Sequence, residues 1–125
     1  MVKNSTYART PCSGRKKPYS TALCGAMAVG AGAFGAHGAT GDSAKWLTTG
    51  AHYQMIHAVA ALVALQMGAR GPAWLFVIGG VIFATTLYLM ALGLPRWLGA
   101  ITPIGGALLI AGWLWLAWGA MRAGV

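Results

Sequence analysis

Residues 74–94 read WLFVIGGVIFATTLYLMALGL, an apolar run that contains no Asp, Glu, Lys or Arg. At about 1.5 Å of rise per residue, a helix of this length crosses the hydrocarbon core of a bilayer, which is about 30 Å thick. The run lacks the apolar–polar alternation of a half-buried strand. Because backbone groups in lipid must be hydrogen-bonded within helices or closed barrels, the run predicts a transmembrane helix.

Three further apolar runs accompany this one, at about residues 20–36, 50–67 and 99–121. The connections between runs are short, and short links force neighbouring helices to run antiparallel. The sequence therefore predicts an all-α integral membrane four-helix bundle with antiparallel up-down topology. Its transmembrane domain covers residues 20–122, and residues 1–19 form a basic, polar tail.

The composition agrees with a membrane protein. Hydrophobic residues make up 58% of the 125-residue chain and charged residues only 8%. A water-soluble domain carries about 25% charged residues because water must solvate its surface. The low charged fraction indicates that much of the surface faces lipid.

The basic residues indicate how the chain is oriented. Five of the nine lie in the tail, at Lys3, Arg9, Arg15, Lys16 and Lys17. With the tail inside, Arg70 and Arg122 are also cytoplasmic, which makes seven, whereas only Lys45 and Arg96 are outside. Since cytoplasmic segments carry the excess of Lys and Arg, both termini are predicted to be cytoplasmic. A cleaved signal peptide ending near residue 38 is the alternative for the first run.

The net charge of +8 does not indicate a nucleic-acid-binding protein, because the charges outside the tail are scattered singly. Anionic lipid headgroups suit a basic segment beside a membrane span. We therefore expect the tail to contact membrane lipids or another membrane protein subunit. The candidate contact residues are Arg9, Arg15, Lys16 and Lys17.

Polar side chains collect toward the predicted outer ends of all four spans. The candidate polar cluster comprises His37, His52, Gln54, His57, Tyr88 and Thr102. Polar groups at membrane depth face the bundle interior or a wet cavity. They could line a pocket for a small molecule, quinone or proton, or they could hydrogen-bond one another across helices and hold the bundle together. The second interpretation is favoured.

No catalytic or cofactor motif is evident. Asp42 is the only acid in the chain, and Cys12 and Cys24 have no metal-ligand spacing. A bis-histidine haem site would need room between facing helices. The overlapping Ala/Gly spacing of the first run, including Gly32 and Gly35, instead predicts tight packing with this helix near the bundle centre. We expect no enzyme activity and no cofactor.

Three stretches resemble a known family: GAFGAHG at residues 32–38, YQMIHA at 53–58 and WLGAITPIGG at 97–106. Together they resemble the YgdD/YwdK-type family of small bacterial inner-membrane proteins, classed as a domain of unknown function. The similarity runs from about residue 22 to residue 122. It implies a four-helix protein of the bacterial inner membrane and implies no activity.

These observations favour an accessory or structural subunit of a larger membrane complex. A membrane binder or transporter of a small molecule, quinone or proton, using the outer polar cluster, is the alternative. Against a transporter, the four spans lack the internal repeat and broken helices typical of that class.

Overall fold

The computed structural model describes residues 19–124 of the chain. Within them lie four α-helices: α1 (Tyr19–His37), α2 (Gly41–Gln66), α3 (Arg70–Ala91) and α4 (Thr102–Arg122). A 3₁₀ turn, Arg96–Ala100, precedes α4. No strand occurs in this part of the chain. The prediction of an all-α protein with four helices is confirmed.

Three of the helical segments are long and apolar enough to cross a membrane. They are α1, α3 and the segment Arg96–Arg122, which contains α4. Helix α2 is not among them, although it is the longest helix at 26 residues. The reason is its composition, since Asp42, Lys45 and several His, Thr and Gln side chains interrupt its apolar residues.

Helix α2 begins earlier than the sequence suggested. The second apolar run begins at about residue 50, but the helix starts at Gly41. Thr40 is extended, and Gly41 has φ of +62°, a conformation that glycine adopts without strain. Asp42 then lies in the first turn, where a negative charge interacts favourably with the helix dipole. Hydropathy finds the apolar part of a helix and misses such a polar first turn.

Neighbouring helices contact one another in opposite residue order, so that the end of one helix lies beside the start of the next. The contacts are Gly35 with Leu47 and Gly32 with Ala51 for α1–α2, Gly50 with Leu87 and Gly80 with His57 for α2–α3, and Thr86 with Thr102 and Gly71 with Trp115 for α3–α4. The two ends of the bundle therefore differ. We call them the Asp42 end, which also holds Arg96, and the Arg70 end, which also holds Arg122.

The core lies between α2, α3 and α4. Its buried residues are Ala60, Ala61, Ala64, Ala73, Phe76 and Leu109. Helix α1 contributes none of them, so the expectation that α1 lies near the centre of the bundle is wrong. Its small residues serve packing mainly on α2, where a Cβ atom at Gly35 would come within 2.9 Å of Leu47 Cβ. The rest of its surface, including Leu23 and Met27, is exposed.

Helices α3 and α4 approach each other closely through their backbones at Gly105. A Cβ atom added at Gly105 would lie 2.6 Å from the Phe83 nitrogen and 2.8 Å from the Gly79 carbonyl oxygen. Both are backbone atoms, which cannot move aside as a flexible side chain can. Small residues at a helix interface permit this approach, and van der Waals packing between the helices replaces packing against lipid.

Candidate functional site

Gln54 links three helices from a buried position near the middle of α2. Its side chain is 2% exposed. The Tyr88 hydroxyl of α3 donates a hydrogen bond to Gln54 Oε1 at 2.7 Å. The Cys24 side chain of α1 lies beside Gln54. A glutamine at this depth needs such partners, because an unpaired amide away from water is costly.

His57 lies one turn farther along α2 and is 6% exposed. The Trp113 indole Nε1–H of α4 donates to His57 Nε2 at 3.1 Å. His57 Nδ1 lies 2.7 Å from the Tyr53 carbonyl oxygen, one turn back along α2. An indole nitrogen can only donate, so Nε2 is the acceptor and Nδ1 carries the proton. Both ring nitrogens are therefore occupied, in one neutral tautomer.

Aromatic rings surround the His57 imidazole. Tyr53 stacks against it at 6.1 Å between centroids with an interplanar angle of 11°. Phe76 lies at 5.7 Å and Trp113 at 6.1 Å, and these two rings are 4.9 Å from one another. The rings fill the space that a ligand of either nitrogen would need. His57 cannot bind haem or a metal ion here without losing one of its two hydrogen bonds.

Two threonines join α3 to α4. The Thr86 hydroxyl donates to the Phe83 carbonyl at 2.9 Å, and its oxygen lies 2.7 Å from the Thr102 oxygen. A hydroxyl carries one proton, so with Thr86 donating to Phe83, Thr102 is the donor between the two threonines. This bond lies next to the close approach of the helices at Gly105.

The structure brings four of the six candidate residues into interhelical hydrogen bonds and leaves two outside. Gln54, His57, Tyr88 and Thr102 have the partners given above. His37 is exposed at the end of α1, and His52 is exposed on α2. The only ring contact of His52 is with Tyr53 at 6.5 Å, among the residues that the structure describes.

The polar side chains of the interior are satisfied by one another. Within residues 19–124, no buried side-chain nitrogen or oxygen atom lacks a hydrogen-bond partner. The same residues contain no group of three or more His, Cys, Asp or Glu side chains placed to hold a metal ion. The arrangement can therefore fix the helices relative to one another, and it leaves no free buried polar group directed toward a ligand.

Three partners in this network were missed from the sequence: Cys24, Thr86 and Trp113. For Trp113 a signal existed, because an indole N–H at membrane depth needs an acceptor. His57 is the imidazole at matching depth. No comparable signal identifies Thr86 or Cys24, since a hydroxyl or thiol can also bond within its own helix or remain without a strong partner.

Charged residues lie at the two ends of the bundle. At the Asp42 end, Arg96 Nη2 is 3.5 Å from Asp42 Oδ2, and both side chains are largely exposed. The Arg96 guanidinium also lies 5.6 Å from the Trp46 ring. At the Arg70 end, the Arg122 guanidinium lies 4.3 Å from the Trp118 ring centroid. The tail candidates Arg9, Arg15, Lys16 and Lys17 fall outside the described residues.

Comparison with known proteins gives consistent matches. A family model described as "Protein of unknown function (DUF423)" matches residues 31–106. The chain is 44% identical over 105 residues to a UPF0382 membrane protein of Staphylococcus haemolyticus, which covers 76% of this chain and 86% of the relative. It is 38% identical over 108 residues to the UPF0382 membrane protein YwdK of Bacillus subtilis, covering 77% and 88% of the two chains. With the UPF0382 inner membrane protein YgdD of Escherichia coli it is 35% identical over 112 residues, covering 81% and 86%. No solved structure matches the chain.

Proposed function

The chain belongs to the DUF423 family, whose relatives include the UPF0382 membrane proteins of bacteria, and we propose that it is a four-span protein of the bacterial inner membrane. In this proposal the protein is not catalytic and serves as an accessory or structural subunit. The resemblance expected from the three sequence motifs is confirmed. Membership in the family makes the chain a membrane protein. The number of crossings, the orientation and the subunit role are our proposal.

The fourth crossing concerns α2, which is too polar to be recognised by hydropathy. Its most polar interior residues, Gln54 and His57, are buried against neighbouring helices and are not exposed to lipid. A polar residue that faces the bundle interior with a partner does not prevent a helix from crossing. The opposed residue order of each helix pair supports an antiparallel bundle. The sequence count of seven basic residues in the predicted cytoplasmic segments against two in the outer ones supports cytoplasmic termini.

A structural role is supported above all by the interhelical hydrogen bonds of this network. Gln54, His57 and Thr102 each bond a side chain on another helix. Such interhelical bonds are worth about 0.6 to 2 kcal/mol each in a membrane. Polar residues that serve a substrate would instead be expected to line a cavity with unused donors or acceptors. The small-molecule or proton transporter is the less supported alternative for this reason.

Mass spectrometry of the native protein after mild detergent extraction tests the proposal. We expect a partner protein at a constant ratio and, apart from membrane lipid, no small molecule at a constant ratio. The matched variants are His57→Leu, within the network, and His52→Leu, on the exposed surface of the same helix. A compound that copurifies with the wild type and with His52→Leu, but not with His57→Leu, would contradict the structural role.

A further inference from the structure

The Arg70 end carries positive charge that this chain cannot neutralise with a side chain. Asp42 is the only acid among 125 residues. It lies at the opposite end of the bundle, where it pairs with Arg96. Arg70 and Arg122 therefore have no carboxylate side chain available to them, and both are exposed. Such cations need water or an external anion.

The helix geometry places Arg122 above the beginning of α3. Trp115 of α4 covers Gly71, because a Cβ atom added there would lie 2.6 Å from Trp115 Cη2. Arg122 follows Trp115 by seven residues, or about two turns, so the two lie on the same face of α4. Helix α4 thus extends past Arg70, the first residue of α3, and presents Arg122 on the side that faces it.

Helix geometry directs the Arg70 and Arg122 side chains toward similar heights along the bundle axis. Side chains in a helix lean toward the helix N-terminus. For Arg122 this direction leads back toward the membrane, and its guanidinium indeed lies 4.3 Å from the Trp118 ring, one turn earlier. For Arg70 the same rule leads outward, because α3 begins there. The contact with Trp118 also restricts the Arg122 side chain, so less freedom is lost when an anion binds.

We propose that Arg70 and Arg122, with the Trp118 indole between Arg122 and the membrane, form a binding site for the headgroup of an anionic phospholipid. Guanidinium groups bind phosphate oxygens through two parallel hydrogen bonds. The exposed Trp74 and Trp115 rings lie on the membrane side of the two arginines and suit contact with the glycerol and upper acyl region. Free inorganic phosphate shares the headgroup chemistry and lacks the apolar part.

The proposed topology decides only which leaflet supplies the lipid, and it assigns the site to the cytoplasmic leaflet. Binding by the purified protein does not depend on which side the Arg70 end faces. The orientation can therefore fail in a topology assay while the lipid site stands, and the reverse is also true.

Native mass spectrometry with added lipid tests the site, using phosphatidylglycerol and, as the uncharged comparison, phosphatidylcholine. At roughly 1 kcal/mol per cation, the double variant Arg70→Gln/Arg122→Gln should bind phosphatidylglycerol about thirtyfold more weakly than the wild type. Lys45→Gln removes one charge from an exposed residue near the Asp42 end and should keep nearly full affinity.

Three results would overturn the proposal. One is equal retention of the two lipids by the wild type. Another is unchanged phosphatidylglycerol binding by the double variant, or a loss in Lys45→Gln as large as that in the double variant. The third is a site for free phosphate. It would be recognised if millimolar inorganic phosphate raised the thermal stability of the wild type in phosphatidylcholine nanodiscs and also displaced phosphatidylglycerol in the mass spectrometry experiment.

Discussion

Gly105→Ala is expected to separate α3 from α4, and Gly106→Ala is its control. At Gly105 the new methyl group would lie 2.6 Å from the Phe83 nitrogen and 2.9 Å from the Phe83 Cα atom. At Gly106 the nearest atoms are Phe83 ring carbons at 3.9 Å, an ordinary contact distance. The two substitutions are adjacent, lie in the same helix and add the same methyl group.

The difference between the two variants isolates the packing effect. Replacing glycine by alanine within a helix favours folding by up to about 1 kcal/mol, and both variants share this gain. Overpacking costs about 1 to 3 kcal/mol, and here the clashing atoms belong to the backbone. Gly105→Ala should therefore be less stable than Gly106→Ala by about 1 to 3 kcal/mol, and the Thr86–Thr102 hydrogen bond should weaken with it.

Reversible unfolding by sodium dodecyl sulfate in mixed micelles measures this difference, with helix content followed by circular dichroism. A single transition at lower denaturant for Gly105→Ala is the expected result. If both variants unfold at the same denaturant fraction, α3 and α4 do not approach as closely at Gly105 as the structure has them. The argument for a tight α3–α4 crossing would then be refuted.

Two further predictions concern the hydrogen bonds between helices. His57→Leu should lower the free energy of unfolding by about 0.6 to 2 kcal/mol because the bond from Trp113 is lost, while His52→Leu should have little effect; equal losses in the same unfolding assay would count against the network. In a double-mutant cycle, Thr86→Val and Thr102→Val should show a coupling energy of about 0.6 kcal/mol and no more than about 1.7 kcal/mol. A coupling of zero would show that the two hydroxyl groups do not interact.

The helices were predictable because backbone groups in lipid must be hydrogen-bonded within the segment, which makes a long apolar run helical. The first span was expected at residues 20–36, and α1 occupies Tyr19–His37. The start of α2 was not predictable by hydropathy, because residues 41–49 are helical without being apolar. The end of α3 depends on local geometry: Leu92 caps the helix and Gly93 takes φ of +95°, a change of direction that an apolar sequence does not reveal.

The sequence predicts how deep each candidate side chain lies in the membrane better than it predicts which way the side chain points. A helix turns about 100° per residue, so His52 and His57 point about 140° apart, whereas Gln54 and His57 share a face. Four of the buried positions of α2, Gln54, His57, Ala61 and Ala64, follow this three-and-four spacing. Applied to the sequence, the same spacing would have set His52 apart. Which residue of α4 meets His57 depends on how that helix is rotated and shifted, and the sequence alone does not specify this.

The central claim, that all four helices cross the membrane and return the chain to the cytoplasm, is tested most directly by topology reporters. An enzyme active only outside the cytoplasm should give activity when inserted between Gly38 and Ala39 and none when fused after Val125. If α2 does not cross, only the three strongly apolar segments do, and the C-terminus then lies on the side opposite the N-terminus. Strong activity from the C-terminal fusion, in a protein whose N-terminal tail is cytoplasmic, would contradict the four-span account.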